Sequence, residues 1–200
     1  MATIRLTKYS HRFLARIIIE AKTPLAVGSG EKDIITDALV ATDVNKLPYI
    51  PGTSIAGVLR SMMGENKAKE IFGFQSKNGK ECRGSEIIFT EAKILNSNGK
   101  VIDGLDTNSI LSDPLLKVYK ELPVRQHVRI NSRGVAEKSG KFDEQVVFAG
   151  TRFCFELEMV SDGENYLSFK NVLSRLKNNT FRLGGGTRSG FGEIAVVQPK

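Results

Sequence analysis

Apolar and polar residues alternate most cleanly in two stretches of the chain. Phe13, Ala15, Ile17 and Ile19 fall at every second position, as do Phe153, Phe155, Leu157 and Met159 within Thr151 to Val160. A period of two places each set on one face of a β-strand, and Arg152, Cys154, Glu156 and Glu158 on the opposite face of the second strand. The first strand also carries apolar residues on its other face, at Leu14 and Ile18. Two further stretches repeat at i, i+3, i+4 and i+7, namely Ile55, Val58, Leu59 and Met62, and Phe169, Val172, Leu173 and Leu176. Each predicts an amphipathic helix that buries one stripe. Pro48 to Ser54 reads as a turn into the first helix, with Thr53 or Ser54 placed to cap its free N–H groups.

Weaker patterns fill the remainder. Glu86 to Lys93 predicts a strand, and a final strand runs through Val197. Residues 74–86 are polar and contain glycine, which predicts a mobile loop. The segment from Asn96 to Asp113 reads as loop, and Leu115 to Tyr119 fits helix and strand equally. Pro123 to Ala149 carries Arg125, His127, Arg129, Arg133, Lys138 and Lys141 among β-branched residues around a glycine-containing centre. That combination predicts a hairpin projecting from the core. The order strand, helix, strands, helix, strand predicts an α+β fold, a ferredoxin-like core whose two helices cover one face of an antiparallel sheet. Without repeats or a low-complexity linker, residues 1–200 read as one domain with loop insertions and a hairpin insertion at about 121–150.

Composition narrows the function classes. A hydrophobic fraction of 40% and a charged fraction of 26% are those of a globular chain rather than a disordered one. The net charge of +7 favours a polyanionic partner, because phosphates neutralised by Lys and Arg release counterions. Cys82, Cys154, His11 and His127 are widely separated, which excludes a disulfide framework and a zinc signature. No long apolar stretch opens the chain, so the expectation is a cytoplasmic protein with neither signal peptide nor membrane span.

Two glycine-centred motifs carry the candidate chemistry. Gly184 to Gly192, read as GGGTRSGFG, lets backbone N–H groups of Gly185, Gly186 and Thr187 approach a phosphate, with Arg188 adding a charged fork. It lacks the GxxxxGK[ST] pattern of a nucleotide P-loop. The second motif, Pro51-Gly-Thr-Ser54, opens a helix whose N-terminal donors suit an anion, with Arg60 further along.

The pair LPYIPGTSIAGVLR (Leu47 to Arg60) and LGGGTRSGFGEI (Leu183 to Ile194), preceded by a glycine-containing loop after the first strand, resembles the RAMP superfamily. Within it the chain is similar to the backbone-forming branch of type III CRISPR effector complexes, and the likeness extends over most of the chain. The resemblance implies an RRM-like core with an inserted thumb hairpin. It also implies partners: a CRISPR guide RNA, a paired single-stranded target RNA, and other complex subunits including copies of itself or related RAMP chains. Ser54, Arg60, Arg125, His127, Arg129, Arg133, Gly185, Gly186, Thr187 and Arg188 become expected RNA contacts, and the thumb tip an apolar wedge between bases. With no Trp and 8% aromatics, binding is expected to depend on charge and shape more than on stacking.

The same resemblance implies chemistry in the loop Gly28 to Asp37. Members that cut target RNA use an aspartate there with a divalent metal, Mg²⁺ or Mn²⁺. Asp33 is the best match as catalytic residue and metal ligand, and Asp37 is the second. The loop reads GSGEKD, displaced by a gap from the family pattern, so Glu31 stays among the candidates. Lys32 is placed in sequence to contact the RNA and stabilise developing charge. Alternatives are a structural subunit that binds without cutting, and a free endoribonuclease that processes CRISPR precursor RNA. The latter branch works with a His, or a Tyr and Lys set, near the glycine loop, and no His lies near Gly184 to Gly192.

Overall fold

A computed structural model describes residues 11–30, 37–76, 78–161, 166–178 and 181–197. In chain order the elements are β1 (His11–Ala21), α1 (Gly52–Ser61), α2 (Glu65–Phe72), β2 (Phe74–Gln75), β3 (Cys82–Arg83), β4 (Ile87–Phe89) and β5 (Lys93–Ile94). They continue with α3 (Thr107–Ser112), α4 (Pro114–Val118), β6 (Val124–Ile130), β7 (Ala136–Gln145), β8 (Arg152–Ser161), α5 (Tyr166–Leu176) and β9 (Ile194–Val197). The mixed α+β class is the expected one.

The main sheet runs β4-β8-β1-β9, with β5 also on β8 and every pairing antiparallel. Each strand–helix–strand connection therefore joins strands separated by one other strand. Register matches the period-two pattern: Phe13 faces Met159, Ala15 faces Leu157, Ile17 faces Phe155, and Ile19 faces Phe153. These residues form the core with Ile55 and Leu59 of α1 and Phe169, Val172 and Leu176 of α5. The Phe169 ring lies 5.5 Å from Phe13, and Arg175 of α5 donates to the Met62 carbonyl just past α1.

The opposite sheet face carries charges that neutralise one another. Arg12 forks onto Glu158 at 2.5 and 2.7 Å, Arg152 donates to Glu20 at 2.8 Å, and Arg16 lies 3.9 Å from Glu156. Hydrogen bonding to Arg12 holds the Glu158 carboxyl below the usual carboxylate range. On β1 and β8 this face presents Arg12, Leu14, Arg16, Ile18 and Glu20 beside Arg152, Cys154, Glu156, Glu158 and Val160, with no aromatic ring.

Several expectations need correction. The strand expected over Glu86 to Lys93 is split into β4 and β5. Phe89 pairs with Leu157 and Lys93 with Cys154, so three residues on this side span two on β8. The extra residue makes a bulge. There Ala92 exchanges backbone hydrogen bonds with Ile50, at 3.0 and 2.8 Å, and docks the approach to α1 on the sheet. Gly52 then opens α1 so close to the backbone of Phe89 and Thr90 that a Cβ would overlap both carbonyls. Neither Thr53 nor Ser54 caps this helix. Pro51 is the N-cap, and the Ser54 N–H donates to its carbonyl at 2.9 Å. The segment 74–86, expected as a loop, contains the pair β2–β3, in which Phe74 faces Arg83 and Gln75 faces Cys82.

Two short helices also replace predicted loop or ambiguous chain. Asp106 caps α3 by accepting from the Ser109 N–H and hydroxyl at 2.9 and 2.7 Å. Asp113 caps α4, accepting from Leu115 N–H at 2.8 Å and Leu116 N–H at 3.4 Å, with Pro114 at the first helical position. Its other oxygen accepts the N–H and hydroxyl of Ser97, at 2.9 and 2.8 Å. Burial works to raise the Asp113 pKa, but these donors outweigh it and the carboxyl titrates below its usual range. A depressed folded-state pKa contributes stability above the unfolded pKa, lost as pH falls through the folded value. Asp113→Ala is expected to cost about 2 kcal/mol in urea unfolding at neutral pH, with the difference from the native chain shrinking below about pH 4.

Candidate nucleic-acid interface

The hairpin β6–β7 has two chemically distinct faces. Arg125, His127 and Arg129 alternate along one face of β6, opposite Glu144 and Phe142 of β7. The His127 ring stacks on Phe142 with centroids 5.0 Å apart, and the Arg129 guanidinium lies 6.0 Å from the same ring. The other face shows exposed Val124 and Val128. The turn is polar at its apex: Asn131 accepts from the N–H groups of Arg133 and Val135 at 2.9 and 3.1 Å. Exposed Ile130 and Val135 flank it, so the apolar character expected of the tip sits beside the turn rather than at its apex.

The glycine loop packs against the base of this hairpin. Phe191 meets His127 edge-on at 5.7 Å, and Gly186, at φ +65°, lies where a Cβ would press into the Phe191 ring. Glu144 stands between hairpin and loop, with one oxygen 3.7 Å from His127 Nε2 and the other beside Gly185. His127 Nε2 is buried without a hydrogen-bond partner among the described residues. Thr187–Ser189 forms a 3-10 turn. Arg182 braces the ends of the loop, donating to the Phe191 carbonyl and to Glu193, both at 3.1 Å.

Not every donor foreseen for a phosphate is free. Gly185 N–H donates to the Ala26 carbonyl at 2.7 Å, so in this loop it ties two segments together. Thr187 and Arg188 open the 3-10 turn and are exposed. Arg60 is half-buried and donates to the carbonyls of Phe72 and Gly73, at 3.3 and 2.8 Å. It ties α1 to the end of α2, at a distance in sequence that the PGTS motif alone does not suggest. Ser54 is half-buried on the first turn of α1. Arg125, Arg129 and Arg133 are exposed.

The loop between β1 and α1 is strapped to the hairpin base. Asp37 N–H donates to the Asp143 carbonyl at 3.1 Å, and the Asp143 N–H returns to the Asp37 carboxylate at 3.0 Å. Ala38 and Gln145 continue the pairing through a 2.9 Å hydrogen bond. Glu31, Lys32 and Asp33 lie outside the described residues. Among the described residues no group of three His, Cys, Asp or Glu is placed to hold a metal ion. Phe142, Glu144 and Phe191 are the members of the site that charge and motif did not single out. Phe191 lies inside the glycine motif, and the other two are set by cross-strand register.

No helix among the described residues is long and apolar enough to cross a membrane. A search of curated proteins gives no match. Among solved structures, the chain is similar to one in the type III-B Cmr-beta apo state. The TM-score is 0.65 at 16% identity, over 92% of this chain and 96% of that one. A chain of type III-B Cmr-beta bound to cognate target RNA gives a TM-score of 0.63 at 18% identity, over 94% of this chain and 59% of that one. A chain of a type IV-B CRISPR complex gives 0.61 at 18%, over 92% and 90%. These likenesses concern the fold. The sequence itself decides the family: residues 18–195 match the RAMP superfamily, and the chain belongs to it.

Proposed function

We propose that this chain is an RNA-binding backbone subunit of a CRISPR effector complex of type III kind. In that complex it holds guide RNA and cuts the paired target RNA. The observation that carries the binding half is the hairpin face on which Arg125, His127 and Arg129 line up, with His127 and Arg129 on Phe142 and His127 also meeting Phe191 of the glycine loop. The open sheet face offers no comparable surface, since its arginines are matched by glutamates and the residues that β1 and β8 present on that face include no aromatic ring. Arg125, Arg129, Arg133 and Arg188 would contact phosphates, while Ile130 and Val135 would press between bases.

The cutting half rests on the loop that carries Asp33. Asp37 has a bonding pattern of its own, in which its carboxylate holds the Asp143 N–H, and that supports Asp33 as the reacting carboxylate. Asp33 would take the proton from a target 2′-hydroxyl, whose oxygen attacks the adjacent phosphorus in line. The bond to the 5′-oxygen breaks, that oxygen takes a proton from solvent, and a cyclic phosphate remains. Lys32 would stabilise the charge on the phosphate oxygens. A divalent cation, Mg²⁺ or Mn²⁺, held transiently by Asp33, would supply further neutralisation of that charge.

Anisotropy of a labelled single-stranded RNA against salt concentration tests the binding half. Replacing Arg125 and Arg129 together by Ala should weaken binding roughly 20-fold and lower the salt slope by about 2. Unchanged affinity and slope in a folded variant would exclude the hairpin face as the RNA surface.

A further inference from the structure

A cavity of about 590 Å³ lies apart from the hairpin face, between the β1–α1 loop and the segment that follows α4. Its size is within the ~300–1,000 Å³ range of small-molecule pockets. Lys46 and Lys120 line it, with Tyr49, Tyr119, Gln145 and the backbone at Ser29. Among the described residues that line it there is no Asp or Glu. Two lysines with no counter-charge among the described lining residues suit an anion. The half-buried Tyr49 among the lining residues suits a planar, apolar group attached to that anion.

Lys46 supplies an independent observation. It adopts φ +63°, a left-handed conformation that Gly or Asn adopts with less strain. The turn around it is over-determined: the Asp43 carboxylate accepts the N–H groups of Asn45 and Leu47 at 2.8 and 2.9 Å. Asn45 in turn donates to the Gly104 carbonyl at 2.7 Å and accepts from the Asp106 N–H at 3.1 Å. Strain held in place by surrounding bonds, at a residue whose side chain lines a cavity, marks a position kept for what the side chain does. Gln145 is similarly set. Its oxygen accepts the Val40 N–H at 3.1 Å, which orients the amide nitrogen as the donating end.

We propose that this cavity binds one nucleotide unit of an RNA strand, with Lys46 and Lys120 on its phosphate, Tyr49 against its base, and Gln145 donating to a base acceptor. The proposal rests on the reading of the chain as RNA-binding. It adds a second contact region beside the base of the hairpin, where Gln145 ends β7, away from the face that carries Arg125, His127 and Arg129.

The test uses the full chain and a labelled single-stranded RNA. Lys46→Gly removes the ammonium and relieves the backbone strain, so folding is not at risk. It should weaken RNA binding roughly 5-fold and reduce the salt slope by about 1, and Lys120→Ala should do the same. A 4-thiouridine RNA should crosslink to the peptide that contains Tyr49. Arg129→Ala is the control, since it alters the hairpin and leaves the cavity intact. If Arg129→Ala loses affinity while Lys46→Gly and Lys120→Ala bind with native affinity and slope, the cavity proposal is overturned and the RNA-binding reading stands. If the native chain binds no RNA, both fall together. Tighter binding of free adenosine monophosphate than of the RNA would also overturn it, by marking a separate mononucleotide site.

Discussion

Replacing Asp33 by Ala is expected to slow cleavage of guide-paired target RNA by ~100-fold or more in Mg²⁺, with target retention essentially unchanged. Binding and cutting separate because they draw on different residues. In the proposed function, retention would depend on cationic side chains spread over the hairpin and glycine loop, whereas proton removal from the 2′-hydroxyl would need one carboxylate beside one phosphate. Asp37→Ala should give a different signature. Its carboxylate holds the Asp143 N–H, so its loss leaves that donor unpaired and should cost about 1–2 kcal/mol of stability. Any loss of cutting would then follow from a loosened loop and be partly recovered by Asp37→Asn, whose side-chain oxygen still accepts. Single-turnover cleavage by the assembled complex, with urea unfolding of each variant, separates the two. Native cutting by Asp33→Ala alongside inactive Asp37→Ala and Asp37→Asn would transfer the reaction to Asp37. Loss confined to Glu31→Ala would transfer it to Glu31. A native complex that retains target and does not cut it would leave the subunit a structural one.

The long elements were legible because their periodicity and their burial are the same fact. Ile17, Ile19, Phe153, Phe155, Leu157 and Met159 are all buried, as are Phe169, Val172 and Leu176. The break between β4 and β5 was not legible, since it depends on Ile50 pairing with Ala92 across 42 positions of sequence. The helix α3 reads as loop in the sequence, and α4 fits helix and strand equally, for another reason. They are too short to show a period, and their signal is chemical: Asp106 three residues before Ser109, and Asp113 directly before Pro114.

The candidate interface divides along the same line. Arg125, His127 and Arg129 announce themselves by charge and alternation within one strand. Phe142 and Glu144 join them only through hairpin register, which shifts between Val128 and Ile130 and so resists reading from spacing. Arg60 illustrates the converse. As a cation on the helix of a diagnostic motif it suits a phosphate, yet α2 folds back and offers the carbonyls of Phe72 and Gly73, which it takes. A carbonyl brought near by tertiary folding satisfies a guanidinium as readily as a phosphate does, and nothing local distinguishes the two.

Gly184→Ala should lower the unfolding free energy by roughly 3 kcal/mol or more, read as a fall in the urea midpoint with little change in slope. Gly184 sits at φ +81°, where an added Cβ costs about 1–2 kcal/mol in backbone strain alone. That Cβ would also overlap the Ala26 carbonyl, the group that accepts the Gly185 N–H at 2.7 Å. Both partners are backbone and cannot swing aside, so the loop must lift and this hydrogen bond must stretch. Gly190 provides the comparison, because it shares the positive φ, at +88°, and has nothing within 4 Å of a built Cβ. Gly190→Ala should therefore lose only about 1 kcal/mol, the strain without the overlap. A gap between the two variants identifies the close approach of the glycine loop to the chain after β1 as the reason for glycine at 184. Equal losses would assign the requirement to backbone conformation alone. The distinction bears on the proposed RNA contacts, because Gly186, Thr187 and Arg188 are carried on the part of the loop that Gly184 seats. Gly184→Ala should weaken RNA binding along with the fold, while Gly190→Ala leaves both near native.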